Sequence, residues 1–177
     1  MSESLGPNTK ENLLTAFAGE SKARNKYTYF AKTARKEGYH YIAKIFEDAA
    51  ANEMQHAKDE FKMLGGIGDT EANLKEAVEG ETYETTTMYP EFAKQAEEEG
   101  HADAARLFRQ IAKVEEEHAK IYKQLLQMVK NDTVYKRETS VKWVCLKCGY
   151  THEGKEAPAK CPCCLHPREY FEPKPLT

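Results

Sequence analysis

The first 144 residues contain no cysteine; all five cysteines of the 177-residue chain fall between Cys145 and Cys164. Disulfides therefore cannot hold the larger part of the chain. The odd count would leave one thiol unpaired under any disulfide scheme, and such clustering in a reducing compartment argues for a metal site. No apolar run approaches the roughly 20 residues needed to span a membrane. Met1-Ser2-Glu3-Ser4 lacks the basic flank and apolar stretch of a secretory leader, so a cytoplasmic protein is expected. A net charge of −3 gives no reason to expect nucleic acid as a partner. With 40% hydrophobic and 31% charged residues, the chain has the composition of a globular protein and not of a disordered one.

What is present is helix. From 8 to 130, Ala, Glu, Lys and Leu dominate and apolar residues recur at intervals of three and four. Four long helices are expected at about 9–37, 39–64, 80–99 and 101–130. Asn8 with Glu11 has the form of a capping box. Gly38 and Gly100 are placed as C-terminal caps, and Gly65, Gly66 and Gly68 close the second helix. Residues 66–79 read as a long connection that can hold a short helix near Glu71–Glu79.

The helical part is an internal duplication. At an offset of 62, Tyr27 matches Tyr89, Phe30 matches Phe92, Ala34 matches Ala96 and Gly38 matches Gly100. The match continues through Ala43/Ala105, Phe46/Phe108, Ala50/Ala112, Glu53/Glu115, His56/His118 and Lys58/Lys120. Two copies suit a closed bundle of two hairpins joined by one long crossover, the ferritin-like topology, better than a solenoid. Near the start of each copy the offset falls to 61, where Gly19-Glu20-Ser21 resembles Gly80-Glu81-Thr82. One copy thus carries an extra residue between its glutamate and its tyrosine. A helix can absorb such a residue as a π-bulge, and these bulges favour functional sites.

Glu53-x-x-His56 and Glu115-x-x-His118 each place a carboxylate and an imidazole one turn apart on one helix face. Glu20 and Glu81 hold matching places on the other two helices. This is the ligand pattern of carboxylate-bridged di-iron or di-manganese bundles. Four glutamates converging inside a bundle would be strongly destabilising without counter-charge, and two divalent cations neutralise them. Oxygen ligands with one imidazole per metal suit iron or manganese. A single Glu-x-x-His is commonly accidental; two in register, each with an upstream glutamate, are not. Glu97, Glu98, Glu116 and Glu117 read as solvent-facing, and His40, His101, His152 and His166 as surface or structural. Glu84 lies one turn after Glu81, where the first copy has Ala23, so it is either a seventh, asymmetric ligand or a surface residue. Tyr27 and Tyr89, two turns beyond Glu20 and Glu81, can hydrogen-bond bridging glutamates or pack as core aromatics.

After Asn131-Asp132 the pattern breaks. Residues 132–140 read as a polar linker, and 141–177 as a separate small domain too short to fold without a staple. There, Cys145-Leu-Lys-Cys148 and Cys161-Pro-Cys-Cys164 form a tetrathiolate signature. The spacing serves zinc as well as iron, and a redox-capable bundle in the same chain favours iron. Cys164 completes the second C-x-x-C as the fourth ligand, which leaves Cys163 free or exchangeable.

With both signatures in place, the chain resembles the rubrerythrins over nearly its whole length. The residues that carry the resemblance are Glu20, Glu53-x-x-His56, Glu81-x-x-Glu84, Glu115-x-x-His118 and Trp143-Val-Cys145-x-x-Cys148-Gly-Tyr150 with Ala157-Pro158-x-x-Cys161-Pro-x-Cys164. The resemblance implies a mainly α, ferritin-like four-helix bundle (1–131) followed by a rubredoxin-like domain with a four-cysteine iron. It implies a non-haem di-iron peroxidase that reduces hydrogen peroxide to water, bridged by Glu53 and Glu115. Glu20 and Glu84 would bind one iron, and Glu81 and His118 the other; on reduction His56 would replace Glu84. The segment Gly65-Gly66-Ile67-Gly68 is no dinucleotide fingerprint. Electrons would therefore come from rubredoxin or an NAD(P)H-dependent reductase, and the resemblance also implies a homodimer. The competing expectations are a ferritin-like ferroxidase or iron-storage protein and a zinc-stabilised structural module.

Overall fold

Helix α1 (Pro7–Lys36) begins where proline presets the backbone angle of a first helical turn and lacks only an N–H that would be unsatisfied anyway. The computed structural model describes residues 5–174, so Met1–Ser4, read above for a leader, lie outside the described residues. Gly6 is the N-cap residue, with no side-chain capping bond. The expected Asn8–Glu11 capping box is therefore not formed, because proline starts the helix upstream and leaves Asn8 within the first turn. Helix α1 ends in a glycine cap: Gly38 has φ +86°, its N–H reaches Arg35 O at 3.1 Å, and Tyr39 N–H reaches Ala34 O at 2.8 Å. Helix α2 (His40–Met63) returns antiparallel and closes in the same way at Gly65.

The third helix departs from expectation. Helix α3 (Thr70–Tyr83) begins ten residues before position 80 and includes most of the segment read as a connection. Asp69 caps it, its Oδ1 accepting from Ala72 N–H at 2.8 Å. Once capped, the helix formers of 71–79 propagate through Gly80, whose local cost of about 1 kcal/mol they offset. A π-helical turn (Glu84–Met88) then leads into α4 (Tyr89–Glu98). The extra residue of the second copy is thus absorbed as the offset change suggested. Helix α5 (Ala102–Lys130) follows a glycine cap at Gly100, φ +80°.

The chain divides into two compact units at Gly68/Asp69. In the first, α1 and α2 meet along an alanine seam of Ala31, Ala34, Ala43, Ala50 and Ala57, all buried. In the second, Ala93, Ala96, Ala105 and Ala119 repeat it at the same offset. Small side chains let the helices approach closely, and Tyr27, Phe30 and Phe46 flank the first seam as Tyr89, Phe92 and Phe108 flank the second. One pair is inverted between the copies: Arg35 bridges Glu47, whereas Glu97 bridges Arg109. The place of the ion pair is kept and its charges are exchanged. Glu97 is thus paired, while Glu116 and Glu117 share Lys120 on the surface.

The second unit continues into a three-stranded antiparallel sheet. Strand β1 (Lys136–Cys145) starts inside the polar segment 132–140, and β2 (Thr151–Glu156) and β3 (Phe171–Lys174) pair on either side of it. Its core is small: Trp143, Cys145, Ala157, Cys161 and Phe171. Among the described residues no helix is long and apolar enough to cross a membrane.

Candidate metal centres

Among the described residues, three groups of metal-ligating side chains come together, each with its donor atoms within 4.8 Å of one another. The first is Glu20 on α1 with Glu53 and His56 on α2. The second is Glu81 on α3 with Glu115 and His118 on α5. The third is Cys145, Cys148, Cys161 and Cys164. The first two are the same constellation in the two copies, one in each compact unit.

In the first group, His56 Nδ1 lies 2.9 Å from Glu53 Oε2. In the second, His118 Nδ1 lies 2.6 Å from Glu115 Oε2 and 3.8 Å from Glu81 Oε1. The helical i, i+3 spacing makes the Glu53–His56 and Glu115–His118 contacts, since residues three apart face the same side, whereas Glu81 reaches His118 from α3. The carboxylates are crowded. A hydrogen bond with Glu53, then burial, then the Glu53 charge hold the Glu20 carboxyl above the ordinary value of 4.5; His56 opposes this and Glu60 adds to it. Burial first, and then the charge and hydrogen bond of Glu115, push Glu81 up likewise, with Glu84 contributing and His118 opposing. Glu20 and Glu81 thus each hold a proton more readily than a free glutamate, and a divalent cation beside them would relieve the same crowding of charge. Two carboxylates and one imidazole match the chemistry of a hard, redox-capable divalent ion. The donor set therefore fits the metal.

Glu84 is not part of the three-residue group. It opens the π turn, and its charge acts on Glu81 and Tyr89. Tyr27 and Tyr89 sit in the aromatic clusters, with Tyr27 6.0 Å from Phe46 and Tyr89 6.1 Å from Phe108, ring centre to ring centre. Tyr89 also faces the acids: burial, then the charges of Glu84, Glu115 and Glu81, raise its phenol. Packing and a place beside the carboxylates are thus not exclusive. The sequence reading missed Glu60, one turn beyond His56, and the only signal was a broken match at the offset of 62, where Tyr122 stands.

The sulfur group has near-tetrahedral dimensions. Cys145 Sγ lies 3.7 Å from Cys164 Sγ, and Cys148 Sγ lies 3.6 Å from Cys161 Sγ. A tetrahedron with metal–sulfur bonds of about 2.3 Å has edges of about 3.8 Å, which these two distances match, so the donor set suits one tetrahedral ion. The Cys163 sulfur is outside the group and exposed. Gly149 takes φ +74° after the first knuckle, a left-handed turn open to glycine at no steric cost. Burial would raise the Cys161 thiol, but N–H donors from Cys164 and Cys163, with the neighbouring thiols, lower it to about 7. At Cys148, the Tyr150 N–H works toward the thiolate, yet burial and the protons shared with Cys164, Cys161 and Cys145 raise the thiol. The four sulfurs cannot all be thiolates without a cation.

Known proteins carry the same two halves. The rubrerythrin family model matches residues 11–126, and the model of the rubrerythrin rubredoxin-like domain matches residues 143–172. Rubrerythrin-1 of Clostridium acetobutylicum is 47% identical, with 94% of each chain covered. The rubrerythrin of Nitratidesulfovibrio vulgaris is 46% identical, again over 94% of both chains. The solved structure of partially reduced nigerythrin is 34% identical, covering 98% of this chain and 89% of that one, with a TM-score of 0.37. Matched in both halves and over almost its whole length, the chain belongs to the rubrerythrin family: ferritin-like di-iron proteins of the oxidative-stress response with a rubredoxin-like, four-cysteine iron domain.

Proposed function

We propose that the chain is a cytoplasmic non-haem di-iron peroxidase that reduces hydrogen peroxide to water. The observation that carries this reading is the pairing, in one chain, of two equivalent Glu/Glu/His groups with a separate four-sulfur group. The first two suit two-electron chemistry on a small oxidant. The last suits one-electron delivery, and a storage cage has no use for it.

When bound, two ferrous ions supply the two electrons that cleave the peroxide O–O bond, and two protons complete two waters. The chain's residues hold and balance that chemistry. Glu53 and Glu115 would be shared between the two metals, Glu20 and Glu84 would serve one, and Glu81 and His118 the other. His56 would be the neutral alternative to Glu84 for a less charged ion, which needs an anionic ligand less. The hydrogen bond with Glu53 that raises the Glu20 carboxyl supports a role for this pair in holding a proton when no cation is bound. The Tyr27 and Tyr89 phenols stand two turns from Glu20 and Glu81 as donors that steady carboxylate oxygens. Cys145, Cys148, Cys161 and Cys164 would hold an iron that supplies one-electron chemistry, with rubredoxin or an NAD(P)H-dependent reductase as the proposed electron donor.

From His118 to the end of α5 at Lys130 the helix rises about 18 Å, at about 1.5 Å per residue. A homodimer in which the sulfur-bound iron of one chain serves the carboxylate site of the other would shorten the transfer, and closed dimers make such contacts reciprocal.

The test is anaerobic reconstitution with iron, then peroxide consumption coupled to NADH oxidation through a reductase. Three irons per chain and catalytic peroxide loss support the proposal. Uptake of hundreds of irons without peroxide turnover would replace it with storage.

A further inference from the structure

His56 shows only one of its two ring nitrogens in a contact that its own half-site explains. Nδ1 faces back along α2 to Glu53, at 2.9 Å. The other nitrogen, Nε2, lies across the ring from Nδ1 and is left for a partner other than Glu53. The residue one turn on, at i, i+4, is Glu60. Its Oε2 is buried and has no hydrogen-bond partner among the described residues. A buried carboxylate oxygen left unpaired is unfavourable, and native structures supply such groups with a donor. Glu60 also bears on this cluster and not on some remote surface, since its charge acts on Glu20.

The duplication sharpens the point. Position 60 corresponds to 122, where the second copy has tyrosine, and the Tyr122 ring centre lies 6.4 Å from that of His118. The residue after each histidine's turn is thus a carboxylate in one half-site and a phenol in the other. Metal-bound histidines characteristically donate their remaining N–H to a carboxylate, carbonyl or water, which fixes the tautomer and makes the imidazole a stronger donor.

We propose that Glu60 is the positioning residue for His56: its carboxylate accepts the Nε2–H and holds the ring in the tautomer that leaves Nδ1 free to ligate a metal. The inference rests on the metal reading of the site. It makes the two histidines unequal ligands, because only His56 gains an anionic partner. A carboxylate on a flexible stem also lets the His56 ring move in and out while keeping one bond.

The test uses the full chain with ¹⁵N-labelled histidine, loaded with zinc(II) as a redox-inert divalent ion, in the parent and in Glu60→Ala, Glu60→Gln and Tyr122→Phe. In the parent, zinc should shift His56 Nδ1 and leave a slowly exchanging Nε2–H. In Glu60→Ala, that proton should exchange fast, and zinc affinity at this half-site should fall about 10- to 100-fold, the usual effect of losing such a partner. Glu60→Gln, whose amide oxygen accepts the same bond, should recover part of both. Tyr122→Phe should leave His56 unchanged. Unaltered His56 Nε2–H exchange and zinc affinity in Glu60→Ala, with helicity intact by circular dichroism, would overturn the assignment. If zinc shifts neither His56 nor His118 in the parent, the metal reading falls and the proposal with it, a result distinguishable from the first.

Discussion

Removing the metal from the cysteine group should unfold the carboxy-terminal sheet and leave the helices standing. Trp143 and Phe171, the two large aromatics of its core, are 0% and 3% exposed. Each buries roughly 150–250 Å², contributing about 4–6 kcal/mol at ~25 cal/mol per Å². Ordering one residue costs about 1.5 kcal/mol, so ordering some eight residues offsets both rings. The strands alone contain ten, six and four residues. A tetrathiolate metal contributes about 10–16 kcal/mol to folding, comparable to the whole aromatic core, so its loss is decisive. The assay is built in, because Trp143 is the sole tryptophan and its Nε1–H donates to Gly154 O at 3.0 Å within the core. In the zinc-loaded protein, which avoids quenching by iron, its emission should be blue-shifted. Chelation, or Cys161→Ser, should move it to the red of a solvated indole while the helical circular dichroism persists. Cys163→Ser should change neither signal, since that sulfur lies outside the group. A buried, blue-shifted Trp143 after complete metal removal would refute the argument, because the core would then hold itself.

Glu53→Ala or Glu115→Ala should abolish loading of the carboxylate irons while the sulfur-bound iron remains, read as a fall from three irons toward one per chain with the red thiolate absorption intact. Ala43→Leu or Ala105→Leu should destabilise the chain by about 1–3 kcal/mol through overpacking, since both alanines are 0% exposed in their helix seams, and thermal melting will show it. For the metal-free protein, the folded carboxyls of Glu20 and Glu81 lie above 4.5, so the folded state binds more protons than the unfolded one. Their contribution is favourable at low pH and is lost as pH rises past 4.5 through the raised values; metal-free Glu20→Gln/Glu81→Gln should show a flatter pH–Tm profile than the metal-free parent, and equal slopes would refute this. Deleting Thr86 should straighten the π turn and rotate Glu81 by about 100° relative to Tyr89, so that zinc affinity at Glu81, Glu115 and His118 collapses; unchanged affinity would show that the turn does not set the site.

Much of this was open to a reader of the sequence, for identifiable reasons. A duplicated Glu-x-x-His with matching upstream glutamates needs only helical periodicity to put each set on one face. Two C-x-x-C knuckles fix a tetrathiolate because short loops leave the sulfurs little freedom. The offset change from 62 to 61 announced the π turn, since an inserted residue in a continuous helix must be absorbed somewhere. Other features were settled by tertiary structure alone. The early start of α3 at Thr70 depended on the Asp69 side chain turning to cap it, which competed with the glycine at 80 as a boundary signal. The first helix began at Pro7 and not at an Asn8 cap because proline and the Asx box offered rival starts. Strand β1 reached back to Lys136 because strand pairing, including Lys136 opposite Glu156, lies far apart in sequence and carries no local signature. The Glu60 carboxylate, with one oxygen buried and unpaired, became visible only once packing had decided which atoms water can reach.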